Sequence, residues 1–291
     1  IGGIINIVDD CITNMDYEMP EFKVGYETQS VNDGSTQYFN YKNNFNGFNV
    51  NFGYKETDFG NYDIPNGAIA HEDEHDEDED HDEHEMHEED LGYVNNSDLY
   101  VEATKFGISK TGDWGYFGVS VDNLESVYGI PFHGDEHGDE DHGDEHGDER
   151  IFSTTDSEST TIKGSYNLNG KLINKIDYSL RDTSYTLTEA HDEEGHDDHG
   201  DEDHADEEEH APTVFKNNAL EYGVTFDISN DLATRKIVLN FVDEDNSIVG
   251  EEAFMNPANS EEFTIGYYLG RSEEHTSELQ SPCNLVCRLL L

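Results

Sequence analysis

Fourteen histidines of this 291-residue chain sit among carboxylates in three short runs, and imidazole beside carboxylate is metal-binding chemistry. The runs are "HEDEHDEDEDHDEHEMHEED" (71–90), "HGDEHGDEDHGDEHGDER" (133–150) and "HDEEGHDDHGDEDHADEEEH" (191–210). The candidate ligands are His71, His75, His81, His84 and His87, then His133, His137, His142 and His146, then His191, His196, His199, His204 and His210. Neutral imidazole with carboxylate suits Zn²⁺ and its first-row neighbours, and affinity order alone would favour Cu²⁺ over Zn²⁺. Carboxylates alone would suit Ca²⁺ or Mg²⁺, but the spacing does not match an EF-hand loop. Segments this repetitive offer many weak, exchanging sites rather than one ideal tetrahedral centre. The carboxylate field concentrates cations and stabilises imidazolium, so metal competes with protons and binding weakens below neutral pH. The competing reading is a solvated charge run, but solubility alone gives histidine no reason to concentrate there.

A formal charge of −53, from 68 acidic and 15 basic residues, excludes nucleic-acid phosphate as a partner. The runs hold more than half of all carboxylates. They contain paired acids but no defined pocket, so no catalytic residues are assigned and the chain is not read as an enzyme. What remains outside the runs is rich in Tyr, Phe, Gly and Asn, which is β-forming material.

Something must position the runs, and the rest of the chain reads as strands. In "FNVNFGYKE" (48–56), Phe48, Val50, Phe52 and Tyr54 alternate with Asn49, Asn51, Gly53 and Lys55, the period of a strand with one apolar face. Similar segments cover 22–30, 36–44, 99–109, 114–123, 160–168, 175–185, 220–229, 233–243 and 261–270. Most are about nine to eleven residues, enough for a tilted strand to cross a bilayer, and no apolar run of about twenty residues offers a transmembrane helix. Short turns (45–47, 110–113, around 169–172, 230–231) alternate with long connections, and the runs lie in long ones. In an up-and-down meander alternate connections share an end, so all three runs are expected at one edge. They cannot bury apolar surface and are expected to be disordered. The pattern predicts an all-β fold, an antiparallel up-and-down transmembrane barrel fragment. A soluble sandwich or propeller remains the alternative. Tyr54, Tyr62, Tyr93, Tyr100, Trp114, Tyr116 and Tyr128 are expected to form interfacial girdles.

Both ends read as something other than domain termini. The chain starts at Ile1 inside an apolar run, as an internal fragment would. "RSEEHTSELQSPCNLVCRLLL" (271–291) resembles the translation of a sequencing-library adapter. On that reading the CxxxC of Cys283 and Cys287 carries no meaning, 271–291 continues no strand, and Cys11 alone leaves no internal disulfide.

The chain resembles the zinc-uptake branch of the TonB-dependent outer-membrane receptors. "IGGIINIVDD" (1–10) resembles the end of that family's plug domain, a stretch typical of the whole superfamily. "NYDIP" (61–65) resembles a motif after the third barrel strand, and "VYGIPFH" (127–133) the start of a histidine-rich external loop. "TVFKNNALEYGVTFDI" (213–228) resembles the strand that returns after the next loop, so the similarity spans about residues 1–245. The resemblance implies a 22-stranded barrel closed by a plug and driven by the TonB complex. It implies residues 1–20 as the end of the plug and its linker, and 21–270 as the first part of the barrel, with external loops at 66–98, 124–157 and 186–212. It also implies that His133 is the first loop histidine, with Tyr128, Gly129 and Pro131 shaping that start. A family Tyr-x-His-x-Glu pattern is met by Tyr185 and Glu189 but has Leu187 at its centre, with His191 as a replacement. The implied function is capture and import of a transition metal, Zn²⁺ first, across the outer membrane, in contact with its lipid and with the TonB complex. A surface cation-binding or adhesion β-protein, or a receptor for Ni²⁺, Cu²⁺ or a metal chelate, remains open.

Overall fold

The computed structural model describes residues 11–65, 68, 92–131, 150–168, 170, 172–192, 211–250, 253–271 and 285–290. Ten long strands follow one another as a meander: β1 (Glu21–Gln29), β2 (Gly34–Phe45), β3 (Phe48–Phe59), β6 (Leu99–Gly112), β7 (Gly115–Gly129), β8 (Arg150–Asn167), β9 (Lys175–Asp192), β10 (Thr213–Asp227), β11 (Ala233–Val249) and β12 (Ala258–Arg271). Each pairs antiparallel with its sequence neighbour in the sheet. A small stem, β4 (Tyr62–Asp63) with β5 (Tyr93–Val94), stands on the connection between β3 and β6. All ten segments with period-two signal are strands.

The short turns carry their own chemistry. Phe45 faces Phe48 across Asn46 and Gly47, which have φ of 52° and 84°. That positive pair is the two-residue hairpin turn whose twist matches a right-twisted ribbon, and Asn-Gly is the dipeptide that tolerates it. At the turn into β11, the Asn230 side-chain oxygen accepts the Leu232 and Ala233 amides, holding the loop without a longer connection.

The polarity of the sheet is reversed relative to a soluble core. Among the described residues, the buried apolar ones are Cys11, Ala233 and Ile248, whereas Asn49, Asn51, Ser109, Ser120, Ser153 and Ser165 are buried polar. Residues 11–17 define the polar face as the inner one. Tyr17 N donates to Asn49 Oδ1 at 3.0 Å, and Asp16 Oδ1 accepts Asn49 Nδ2 at 2.9 Å and Thr111 Oγ1 at 2.6 Å. A methyl at Gly107 would lie 2.3 Å from the Cys11 carbonyl oxygen, so only glycine lets the segment lie this close. The opposite face is an apolar band. One cross-strand row reads Val50, Ile108, Val119, Ile162, Leu180, Tyr222, Phe241 and Phe263 through successive pairings. Apolar outward and polar inward, with period two along this part of the strands, is the pattern of a membrane barrel wall.

Three expectations need correction. The strands overrun the loop boundaries: β7 continues through Gly129, β8 begins at Arg150 and β9 ends at Asp192, inside the spans 124–157 and 186–212 assigned to loops. Serine, threonine and aspartate on both faces there leave no apolar alternation to read. The tail also departs from expectation, because β12 reaches Arg271 and β13 (Leu285–Leu290) pairs with it. The free edge of β12 presents unpaired backbone groups that any extended segment of β-forming composition can satisfy. The girdle expectation holds in part. Tyr54 and Tyr100 face outward near the upper end of the band, but register turns Tyr116 and Tyr128 inward, and Tyr62 and Tyr93 lie in the β4–β5 stem.

Candidate functional site

The strand ends that carry the three histidine runs lie at one edge of the sheet. Phe59, where the first run's connection departs, pairs with Leu99, where it returns, and Leu99 pairs with Tyr128 at the end of β7. Gly129 pairs with Phe152 across the second connection, and Glu189 with Thr213 across the third. The opposite edge holds the short turns after Phe45, Gly112, Asn167 and Asp227. Adjacent strands are about 4.8 Å apart, so the six strand ends span roughly 25 Å.

The first and second connections are each closed at the base. Ile64 N donates to Gly92 O at 2.8 Å, and Ile130 N to Ile151 O at 2.9 Å. The first base is further held by Ser97, whose hydroxyl accepts the Tyr62 amide at 2.7 Å and whose amide donates to Asn61 Oδ1 at 3.0 Å. First and second bases touch, since Gly129 N donates to Asp98 O at 3.0 Å and the Arg150 guanidinium pairs with the Asp98 carboxylate. Arg150 also lies over the Phe152 ring, 5.6 Å from its centroid. A cation at this point offsets some of the repulsion between strand ends that both lead into carboxylate-rich sequence.

Of the fourteen sequence-predicted ligands, His191 falls among the described residues, and it lies in a strand rather than in a loop. It pairs with Ile151, and its register places it on the inner face with Glu189, Leu187 and Tyr185. Glu189 and His191 are two residues apart on one side, about 6.6 Å along the strand, close enough for one ion to reach both. Beside them Ser153 and Thr213 are buried, and the Ser153 hydroxyl has no hydrogen-bond partner. Leu187 occupies the inward position between Tyr185 and Glu189, so the ligand series is broken there by an apolar side chain. His71, His75, His81, His84, His87, His133, His137, His142, His146, His196, His199, His204 and His210 lie outside the described residues. Among the described residues no three His, Cys, Asp or Glu side chains converge as a metal site. Sequence reasoning missed the Ser153–Thr213 surroundings of Glu189, because isolated hydroxyl residues carry no period or motif.

Away from this edge, Asp16 is held below the usual carboxylate range by the Thr111 hydroxyl and then the Asn49 amide, which both donate to its ionised form. The shift belongs to the docked segment 11–17, at the end of the sheet opposite the edge that carries the histidine runs.

No family model matches the chain, and no curated protein matches it. Among solved structures it is similar to the FrpB iron transporter from Neisseria meningitidis (F3-3 variant), with a TM-score of 0.56 and 12% sequence identity. The similarity covers 87% of this chain and 38% of that one, so the chain spans well under half the length of the protein it matches. At this identity the likeness is one of fold: an antiparallel up-and-down sheet that matches part of that transporter's chain.

Proposed function

We propose that this chain is part of a TonB-dependent receptor of the outer membrane that captures a transition metal ion, Zn²⁺ first, and passes it into the barrel. The observation that carries this reading is the shared edge: three histidine- and carboxylate-rich runs depart from neighbouring strand ends of one barrel-type sheet. In this reading the run histidines collect the ion through many weak contacts, and the carboxylates raise its local concentration. Glu189 and His191, on the inner face where the third run begins, then take it over as the first protein-wall ligands. Import requires the TonB complex and a plug, of which residues 1–20 would be the end and linker, and it involves no chemical step, hence no catalytic residue.

One observation favours a second cargo. The similar structure is that of an iron transporter, and an inward Tyr185, Glu189 and His191 set is compatible with iron or an iron chelate.

The test separates imidazole from charge. Histidines in 71–90, 133–150 and 191–210 are changed to Asn in the full chain, and Zn²⁺ and Ca²⁺ are titrated by calorimetry. Imidazole ligation predicts a sharp loss of Zn²⁺ binding with Ca²⁺ binding nearly intact. Zn²⁺ affinity should also fall between about pH 7.5 and 5.5, around an unperturbed histidine pKa. Equal losses of both ions, or loss of neither, would count against a transition-metal receptor. Fe³⁺-chelate binding that exceeds Zn²⁺ binding would favour the second cargo.

A further inference from the structure

The outward face of the sheet changes sign from one edge to the other. On β11 the outward residues run Arg235, Ile237, Leu239, Phe241 and Asp243, from a cation near the short turns to a carboxylate near the histidine runs. The same change occurs on β6, from Lys110 beside its short turn to Glu102 further up. At the run edge Glu102 lies in an outward row with Glu56, Glu125 and Asp156, each directly opposite the next. At the short-turn edge no outward position of the described strands β1 to β12 is a carboxylate.

Each of the two cations is set among apolar outward neighbours. Lys110 lies directly opposite Phe48 on one side and Phe117 on the other, and its Nζ stands 4.8 Å from the Phe48 ring centroid. Arg235 lies between Ile228 and Leu269, and its Nε is shielded from solvent without a hydrogen-bond partner. The turns below hold Asp113 and Asp231, but among the described residues neither cation forms an ion pair. A cation at the margin of an apolar face extends its charged head away from hydrocarbon, towards the depth of the lipid phosphates. Nothing in the described wall supplies the counter-charge, and an anionic headgroup does.

We propose that the outward face at the short-turn edge is a docking surface for anionic phospholipid, with Lys110 and Arg235 each holding the phosphodiester of one phosphatidylglycerol-type headgroup. β6 and β11 are five strands apart, about 24 Å at about 4.8 Å per strand, so the two cations serve separate lipids. The acyl chains lie against the apolar band, beginning at Phe48 and Phe117 for one lipid and at Ile237 and Leu269 for the other. The carboxylate row repels the same headgroup at the opposite edge, so the selection acts in one leaflet. This rests on the membrane reading above, and it adds which lipid the wall selects.

Contact quenching by brominated lipid tests it, with the full chain in phosphatidylcholine vesicles containing a minor share of brominated phosphatidylglycerol or brominated phosphatidylcholine. In a Trp114→Phe background, Phe117→Trp reports the surroundings of Lys110, and Leu269→Trp those of Arg235. The expected result is a relative association constant favouring phosphatidylglycerol by about two- to fivefold at both reporters. Lys110→Gln should abolish the preference at 117 and leave it at 269, and Arg235→Gln should do the reverse. Lys110→Arg, which keeps the charge, should keep the preference. Equal quenching by the two lipids at both reporters, or a preference that survives both Gln changes, would overturn the docking surface while leaving the membrane reading in place. No quenching by either lipid at either reporter would overturn both.

Discussion

Leu239→Arg should be among the most damaging single changes on the outward face, and its cost follows from position. Leu239 lies midway between Arg235 and Asp243, about 13 Å along the strand from each polar limit. Its outward neighbours across the ladder are Val224 and Ile265, so no polar group lies opposite it on either side. An arginine at the centre of a barrel's lipid face costs about 2–4 kcal/mol, falling to 1 or less near the interface. The folding equilibrium in vesicles should therefore shift by about 30- to 1000-fold for Leu239→Arg. Asp243→Arg, at the limit of the band, should shift it less than about tenfold. Val238→Arg, one residue away but inward, should be far cheaper than Leu239→Arg, because that face is polar. Guanidinium titration of vesicle-inserted protein, followed by the fluorescence of Trp114, the only tryptophan, measures all three. If Val238→Arg cost as much as Leu239→Arg, the assignment of inner and outer faces would be wrong.

Gly107→Ala should undock residues 11–17, since its methyl would meet the Cys11 carbonyl; Cys11 labelling by a soluble maleimide, in a Cys283→Ser, Cys287→Ser background, should rise about 5- to 30-fold. Gly266→Ala, whose methyl would make only an ordinary 3.5 Å contact with Val238, is the matched substitution expected to leave labelling unchanged. The carboxyl of Asp16 titrates below its ordinary value when docked, so its contribution is present above the unfolded pKa and is lost as pH falls through the docked value. Protection of the Tyr17 amide against hydrogen exchange, corrected for intrinsic rate, should hold from pH 7 to about 4 and then fall, whereas Asp16→Asn should show no such step. The Asp98–Arg150 pair is about one-third exposed, and a double-mutant cycle of Asp98→Asn with Arg150→Gln should give a coupling of about 0.5–1 kcal/mol in the same unfolding assay.

The sequence made the stretches with one apolar face legible and hid their continuations, for one physical reason. Inside hydrocarbon the outward residues must be apolar, so Phe48, Val50 and Phe52 stand out against Asn49 and Asn51. Beyond it both faces are wet, and a strand such as 150–159, with Ser153, Thr155 and Ser157 inward and Asp156 and Glu158 outward, loses its period in polarity though not in geometry. The same blindness assigned His191 to a loop. Turn placement was legible because loop length alone reported it, and Asn46-Gly47 named its own geometry. The pairing of Leu285–Leu290 was not legible, because it depends on a free edge of β12 rather than on any design in the tail. The inward grouping of Glu189 with His191 could be read only once the strand was known to continue, since two residues on one face need a period to unite them.

The closed bases of the first two connections have a consequence for how this protein can change over generations. With Ile64 tied to Gly92 and Ile130 to Ile151, the described strands on either side keep their register whatever the number of residues between 65 and 92 or between 131 and 150. "HGDE" occurs four times between 133 and 149, and tandem coding repeats are prone to slippage during replication. Doubling such a connection adds only about 0.6 kcal/mol of closure entropy. Copies of the motif can therefore accumulate or vanish with almost no selective penalty on folding, and the number of histidines and carboxylates at this edge becomes a quantity that a population can tune by length polymorphism alone.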